Sequence, residues 1–383
     1  MTNKQIPIFS FWQKSLMSVD ADIIIIGSGL VGLWTAFNSK TKYPHKKVLI
    51  LERDASPSGA SVGNAGFACF GSATELLSDL ESMTEEKMLE IVDMRYRGIS
   101  MIRAIIGDDV IDYSQCGGYE CLNLSAQEGL QTKIHSLNEK LSVITKREET
   151  FTFANPKKLD EMGITGFTDI IENGLEGSLH SGKLVLKLKE KVLEMGVQIQ
   201  SGVDVTGFYE EKNQVIIFTG RQSVNFYAKQ VFIAAGGSIG SLFAKSHLWP
   251  ARGQVLVTSP IPDLKLDGTF HFDKGFYYAR NIGERVLIGG ARNIAFEEEE
   301  TVSLEISSKI QNDLEMFLQN HILKGKKYTI VDRWARTMVF NKEKEPMVYD
   351  IGKHVHVIHC CNGMGVATSP AFTQKIVKGT DWE

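Results

Sequence analysis

Apolar and polar positions along this chain follow two periods, and the change from one to the other marks its elements. Four consecutive isoleucines, Ile23 to Ile26, read as a strand buried on both faces. Leu30, Val31, Leu33, Trp34 and Phe37 then recur at helical spacing, so a helix follows at once. Residues 47–51 give a second strand that ends in Glu52. Helical faces return at 79–107 and 126–146, with a short strand at 151–153. Another helix follows residues 177–182, with Leu184, Val185, Leu188, Val192 and Met195 on one face and Gly196 as its cap. Strands are predicted over 197–205, broken at Gly202, over 215–219, and over 230–235 ahead of Gly236 and Gly237. Both strand–helix alternations are expected in a single sheet. From Pro250 the texture changes. Residues 253–258, 275–280 and 285–290 read as antiparallel strands with short turns. The acidic run 297–300 is expected to open a helix over 301–322 and to form a solvated face. A last strand at 355–358 leads to a helix from about Ser369.

Chemistry enters at the first strand–helix junction. Gly27, Gly29 and Gly32 stand at G-x-G-x-x-G spacing. Gly27 permits the tight turn, Gly29 lets a pyrophosphate approach the backbone, and Gly32 lets helix and strand pack closely. Ser28, Leu30 and Val31 complete a helix N-terminus whose free N–H groups and partial positive charge suit phosphate. Glu52, with Arg53 beside it, lies 20 residues past Gly32. A carboxylate there accepts ribose hydroxyls and repels a 2′-phosphate, which argues against NADP. The plain alternative is a structural glycine turn. Strand, glycines, helix, strand and acid in that order favour the dinucleotide.

Residues 58–71 are mostly small and include Ala60, Ser61, Asn64, Ala65 and Gly66. Such a stretch can lay backbone N–H groups against a ligand. A surface linker is the alternative, but Phe67, Cys69 and Phe70 call for burial.

Length and composition narrow the classes. The 383 residues suggest two or three domains, and 43% hydrophobic content supports large cores. A net charge of −4 gives no general attraction to DNA or to anionic membrane. The five cysteines, at 69, 116, 121, 360 and 361, form no CxxC pair. Neither a disulfide framework nor a metal site is expected, and a reducing, cytoplasmic location fits. Residues 1–18 show no signal-peptide pattern, and no apolar run is long enough for a transmembrane segment.

The motifs taken together resemble a family. Gly27 to Gly32, Glu52, Ala60-Ser61 with Asn64-Ala65-Gly66, Ala234 to Gly237, Arg252-Gly253-Gln254, Leu287 to Gly290 and Gly363-Met364-Gly365 occur in order. This resembles the D-amino-acid oxidase and glycine oxidase (DAO) family of flavoenzymes, from about residue 20 to the end. The resemblance implies an α/β fold: a Rossmann-like FAD-binding domain interleaved with an α+β antiparallel-sheet substrate domain. The FAD-binding domain would hold 18–78, 155–249 and 345–383, and the substrate domain 79–154 and 250–344. It also implies non-covalent FAD, since Cys360 and Cys361 do not match the family's covalent attachment. Ala60 to Gly66 would run beside the flavin, Val203 and Val205 would meet the adenine, and Ala235, Gly236 and Gly237 would close a buried strand near it. Gly363, Met364, Gly365 and Val366 would aim N–H groups at the flavin pyrimidine edge, where reduced flavin carries negative charge.

The activity implied is oxidation of a C–N bond in a small amine or amino acid, by hydride transfer to flavin N5, with O2 or another electron acceptor. Amino-acid oxidases of this family hold the substrate carboxylate with an arginine, and register with Trp334 and Pro346 puts Met338 at that position. Arg336, two residues earlier, shares its strand face and is one substitute, with a surface charge as the alternative. Arg280 is another candidate anion clamp, again with a structural alternative. Tyr277 and Tyr278 fall where relatives place an aromatic near the flavin, and on a regular strand only one of them faces the pocket. Two other functions stay open at this stage: a flavin enzyme acting on a tRNA-bound amine, and a flavoprotein subunit without its own substrate.

Overall fold

A computed structural model describes residues 10–12, 19–123, 129–220, 224–243, 248–359 and 362–380; Cys360, Cys361 and most of residues 1–18 lie outside them. The chain opens with β1 (Asp20–Ile26), α1 (Leu30–Lys42), β2 (Val48–Glu52), α2 (Ala60–Gly63) and β3 (Phe67–Ala68). It continues through α3 (Ala73–Asp79), α4 (Glu85–Ile106), β4 (Gly118–Leu122), α5 (Leu130–Thr145), β5 (Thr152–Phe153), β6 (Asp169–Asn173) and β7 (Gly177–Ser178). After α6 (Ser181–Glu194) come β8 (Gln198–Ser201), β9 (Val205–Glu210), β10 (Val215–Thr219) and β11 (Phe226–Ile233). Next are β12 (Leu248–Thr258), β13 (Thr269–Phe272), β14 (Tyr277–Ile282), β15 (Arg285–Gly290) and α7 (Ser308–Phe317). The chain closes with β16 (Ile330–Asn341), β17 (Met347–Asp350), β18 (Val355–His359) and α8 (Gly365–Gly379).

The isoleucine run sits mid-sheet. The first sheet has the order β17-β18-β11-β1-β2-β8, with β10 and β9 added beside β11. β1 pairs in parallel with both β2 and β11, Ile25 lying level with Ile50 and Phe232. Alternate isoleucines serve different cores. Ile23 and Ile25 pack with α1, α6 and α8, whereas Ile24 and Ile26 pack with Val215, Ile217 and Phe226. A strand buried on both faces needs this unbroken apolar run, and each such side chain contributes about 2 kcal/mol.

The second sheet runs β16-β12-β15-β14-β13-β4-β6-β5 and is antiparallel except for β13 with β4. Period-2 alternation gives it two different faces. Phe270, Phe272, Tyr277, Ala279 and Ile288 join Ile310 and Leu314 of α7 in one core. His271, Tyr278, Arg336 and Met338 point the other way, into a cavity between the sheets.

Five expectations change. Residues 58–66 are not all loop, because Ala60–Gly63 forms one helical turn. The helix expected over 301–322 starts at Ser308, since Glu305 O accepts from Arg252 and Ser307 N donates to Gln254 Oε1 (3.0 Å). Tertiary hydrogen bonds there outweigh local helix propensity. The acidic run 297–300 is not wholly solvated either: Glu299 is 1% exposed. In addition, β6 belongs to the second sheet although its residues were expected in the first domain, and α4 packs on α8 beneath the first sheet. The final helix begins at Gly365, four residues ahead of expectation, with Pro370 inside it.

Candidate active site

The glycine turn sits at the C-terminal edge of the first sheet. Gly27 has φ +106°, and a Cβ on it would lie 2.6 Å from Ala234 O. A Cβ on Gly32 would overlap the Gly27 carbonyl oxygen, so strand and helix meet backbone to backbone. At the mouth of α1, Leu30 N donates to Ser61 Oγ (2.9 Å). The N–H groups of Val31 and Gly32 follow in the same first turn, where no carbonyl lies one turn back. Glu52 ends β2 beside this turn. Its Oε2 accepts from Ser28 N (2.8 Å) and Ser28 Oγ (2.7 Å), and its Oε1 accepts from Asp54 N (3.0 Å). An ionised carboxylate has about four acceptor sites, so one stays open for a ribose hydroxyl.

Neighbouring residues assemble at the same edge. Val203 N donates to Glu52 O (2.8 Å), and Val205 begins the adjoining β9. Arg53 Nη1 donates to Ser238 Oγ (3.2 Å) just past Ala235, Gly236 and Gly237. Gly237 lies so near Thr337 that a Cβ would be 2.8 Å from its carbonyl oxygen. Asn64 fastens the small-residue stretch: its Oδ1 accepts from Gly66 N (2.8 Å) and Ser181 Oγ (2.6 Å).

The cavity between the sheets encloses about 590 Å³. One wall carries Ala60, Gly63, Asn64 and Ala65, and another carries Gly363, Met364 and Val366 at the start of α8. The second sheet supplies His271, Tyr278, Arg336 and Met338. Lining and glycine turn are distinct: Gly27 to Gly32, Glu52 and Val203 do not line this cavity.

The four candidate catalytic residues separate. Tyr278 lines the cavity, and burial pushes its phenol up to about 12. Tyr277 turns to the opposite face, stacks on Phe317 at 4.5 Å, and donates to Asp313 Oδ2 (2.6 Å). Arg280 is not in the cavity wall. Its Nη1 donates to Gly66 O (2.7 Å) and Leu179 O (3.0 Å), and Nε donates to Asn281 O (3.2 Å). Three of its five N–H donors go to backbone carbonyls, so it ties the small-residue stretch to β14 from outside the cavity wall. Arg336 lines the cavity with its stem against Gly63; Nη1 donates to Ala335 O (2.7 Å) while Nε is buried without a partner.

Sequence reasoning missed His271. The ring is 8% exposed, edge-on to Phe67 at 5.3 Å, and its Nε2 has no partner. Burial holds its pKa down to about 4, so it is neutral near pH 7. Only the alternation with Phe270 and Phe272 signalled it. A pH effect follows. The unfolded chain protonates this imidazole near 6.5 but the folded protein only near 4. The stabilisation is complete above pH 6.5 and is lost as pH falls toward 4, by up to about 3 kcal/mol. Urea midpoints between pH 7.5 and 5 should therefore fall less steeply in His271→Gln than in the wild type; parallel curves would contradict the assignment.

These features fit FAD: a cradle that side chains would fill, a carboxylate at ribose distance along the chain, and unpartnered polar atoms in an adjoining aromatic cavity. Among the described residues there is no cluster of metal-ligating side chains, and no helix is long and apolar enough to cross a membrane. A family model described as FAD dependent oxidoreductase matches residues 22–377. The chain is 26% identical over 244 residues to the bifunctional protein ThiO/ThiG of Synechocystis sp., a match that covers 63% of this chain and 33% of that protein. The chain thus spans about a third of the length of the curated relative it matches. Glycine oxidase from Geobacillus kaustophilus superposes with TM-score 0.73 at 17% identity, covering 94% of each chain. L-proline dehydrogenase from P. horikoshii superposes with TM-score 0.75 at 16% identity, covering 95% of each. Identities this low speak for a common fold.

Proposed function

Because the chain belongs to the family of FAD-dependent oxidoreductases, we propose that it oxidises the C–N bond of a small amine or amino acid. FAD, when bound, supplies the hydride acceptor for that bond. In this reading the first sheet and its helices hold the cofactor, and the second sheet presents the substrate to it. Gly27, Ser28, Gly29, Leu30, Val31 and Gly32 would cradle the pyrophosphate, with Glu52 on the ribose and Val203 and Val205 beside the adenine. Ala60, Ser61, Asn64, Ala65 and Gly66 would line one side of the flavin. Gly363 to Val366 would direct N–H groups and the positive end of α8 toward it.

The carrying observation is the 590 Å³ cavity that joins the start of α8 to the polar face of the second sheet. Its two carboxylates, Glu75 and Asp79, lie beside Arg95 and Lys344. Neutral His271 and Tyr278 offer a hydrogen-bond acceptor and a donor that orient an amine arriving unprotonated, while Phe67, Phe276 and Phe340 exclude water. The test is anaerobic. Holoprotein is mixed with a panel of amines and amino acids while flavin absorbance is followed. Bleaching by at least one of them is expected. A flavin that dithionite reduces but no member of the panel does would overturn the proposal in favour of a flavoprotein subunit.

A further inference from the structure

A small amine has a pKa close to that of lysine, about 10, so near pH 7 it enters the protein as ammonium. Oxidation of its C–N bond needs the nitrogen lone pair, so one proton must leave first. The cavity wall offers few places for it. The lysines and arginines there have no acceptor atom. Burial holds the Cys69 thiol and the Tyr278 phenol in their protonated forms. His271, held down to about 4, is a weak base. Asp79 is engaged by Lys344 Nζ (2.8 Å). Among the described wall residues that leaves Glu75.

Glu75 stands on α3 and opens into the cavity, its side chain 29% exposed. Its Oε2 accepts from Ser72 N (3.4 Å), and Arg95 Nη1 lies 4.0 Å from its Oε1. Among the described residues Oε1 accepts no hydrogen bond. Arg95, 5% exposed in the same wall, has an Nε without a partner, an independent sign that a polar ligand enters at this end. β3 joins this end to the second sheet. Phe67 is edge-on to His271 (5.3 Å) and Tyr278 (5.9 Å), and Cys69, two residues on, is near enough to feel the charge of Glu75. α4 joins it to α8, since a Cβ on Gly98, one turn past Arg95, would overlap Ala367 O. Burial is the largest influence on the Glu75 carboxyl and raises its pKa; Arg95 and Lys344 oppose that, and Asp79 adds to it. Glu120 and Glu176 stand behind, close enough to feel its charge.

In water the gap between a carboxyl at about 4.3 and an amine at about 10 keeps the proton on nitrogen. Burial disfavours both charged partners. It raises the one pKa and lowers the other, by up to about 3–5 each, so the gap narrows or closes. We infer that Glu75 takes a proton from the incoming ammonium, so that the amine reaches His271 and Tyr278 as the free base. An N–H bond breaks, its electron pair stays on nitrogen, and an O–H bond forms on Glu75. Charge balances, because an ammonium and a carboxylate become two neutral groups. The inference rests on the amine-oxidising reading and names the proton acceptor which that reading needs.

The experiment needs no turnover. tert-Butylamine bears no hydrogen on the carbon beside nitrogen, so it cannot be oxidised there. It is titrated calorimetrically into holoprotein in buffers of different ionisation heat, which counts the protons exchanged. The wild type should bind it with one affinity from pH 7 to 9 and exchange no proton, because the proton only moves from nitrogen to Glu75. Glu75→Gln keeps the contact with Ser72, as glutamine does in a capping box. It should accept the free base alone, releasing about one proton per amine bound, with affinity falling about tenfold for each pH unit below the amine's pKa. A Glu75→Gln protein that exchanges no proton overturns the inference, whatever its affinity. So does a wild type that binds only the free base, or does not bind. If the variant loses FAD, the wild-type profile decides: constant affinity supports Glu75, and a tenfold rise per pH unit overturns it. The two proposals fail separately. Proton-balanced binding that depends on Glu75, in a protein no amine reduces, removes the amine reading and keeps the proton acceptor. Flavin reduction by an amine, in a wild type that binds only free base, does the reverse.

Discussion

Gly32→Ala should give a protein that is both less stable and nearly free of FAD. The added methyl would overlap the Gly27 carbonyl oxygen, far inside the ~3.5 Å of ordinary carbon contact. Backbone is the obstacle, so no rotamer relieves it. Helix α1 must back away from β1, and Leu33 and Trp34, both fully buried, must move with it. Overpacking of this kind costs about 1–3 kcal/mol, and a backbone clash belongs at the upper end. The same displacement carries the N–H groups of Leu30 and Val31 off the phosphate position. FAD affinity should fall about a hundredfold or more, equivalent to about 3 kcal/mol. Gly29→Ala separates cradle from fold. Gly29 has φ −72°, which alanine adopts freely, and its Cβ would meet only Ser61 Oγ, at 2.9 Å. Apoprotein stability should drop by about 1 kcal/mol for the hydrogen bond from Leu30 N, while FAD binding weakens at least about tenfold because the methyl stands over the helix mouth. Thermal melts of apoprotein and FAD titration by fluorescence quenching check both. A Gly32→Ala protein that purifies yellow, with wild-type melting temperature, would refute the close-approach argument.

How much of this was legible in advance depends on the range of the interaction. The isoleucine run, the glycine spacing and Glu52 are local signals that gave a dinucleotide cradle, and the later motifs in order, from Ala60-Ser61 to Gly363-Met364-Gly365, gave the family resemblance, the fold class and FAD. The alternation at Tyr277 and Tyr278 showed that the two rings diverge, but not which one meets the cavity. That depends on the opposite layer: α7 on one side, which takes Tyr277 through Asp313 and Phe317, and the cavity on the other. Arg280 was offered as a clamp because a lone arginine on a strand carries no record of its partners. Its acceptors, Gly66 O and Leu179 O, are about 200 and 100 residues away in the chain. His271 lies in a four-residue strand, too short for periodicity to stand out. The helix boundary at Ser308 moved because side chains of β12 capture backbone groups of residues 305 and 307, a long-range contact that no local propensity encodes.

Those same β12 side chains set up the second large effect: Glu299→Ala should destabilise the protein by about 3–5 kcal/mol. Glu299 is 1% exposed and accepts from Arg252 Nε (2.9 Å) and Nη2 (2.6 Å), with Gln254 Nε2 at 2.9–3.0 Å from both oxygens. Removing it strands a buried guanidinium and a buried amide donor, and the loss comes mainly from those unpaired groups rather than from the pair's own attraction. The double variant Arg252→Met/Glu299→Met tests this account. With both charges gone no ion is left uncompensated, so the double variant should be more stable than Glu299→Ala even though it changes more atoms. Urea unfolding with FAD saturating reads the difference. Losses that simply add, or a Glu299→Ala cost below about 1 kcal/mol, would refute the argument. The consequence reaches the cavity through the strand's two faces. Arg252 and Gln254 point to the network while Gly253 between them lines the cavity, where an added Cβ would lie 2.8 Å from the Met338 methyl. The flanking side chains fix the strand that carries Gly253, so Glu299→Ala should also weaken FAD binding without touching the cofactor. Arginine, glycine and glutamine thus occur together for one physical reason: two anchors on one face hold flat the side-chain-free position on the other.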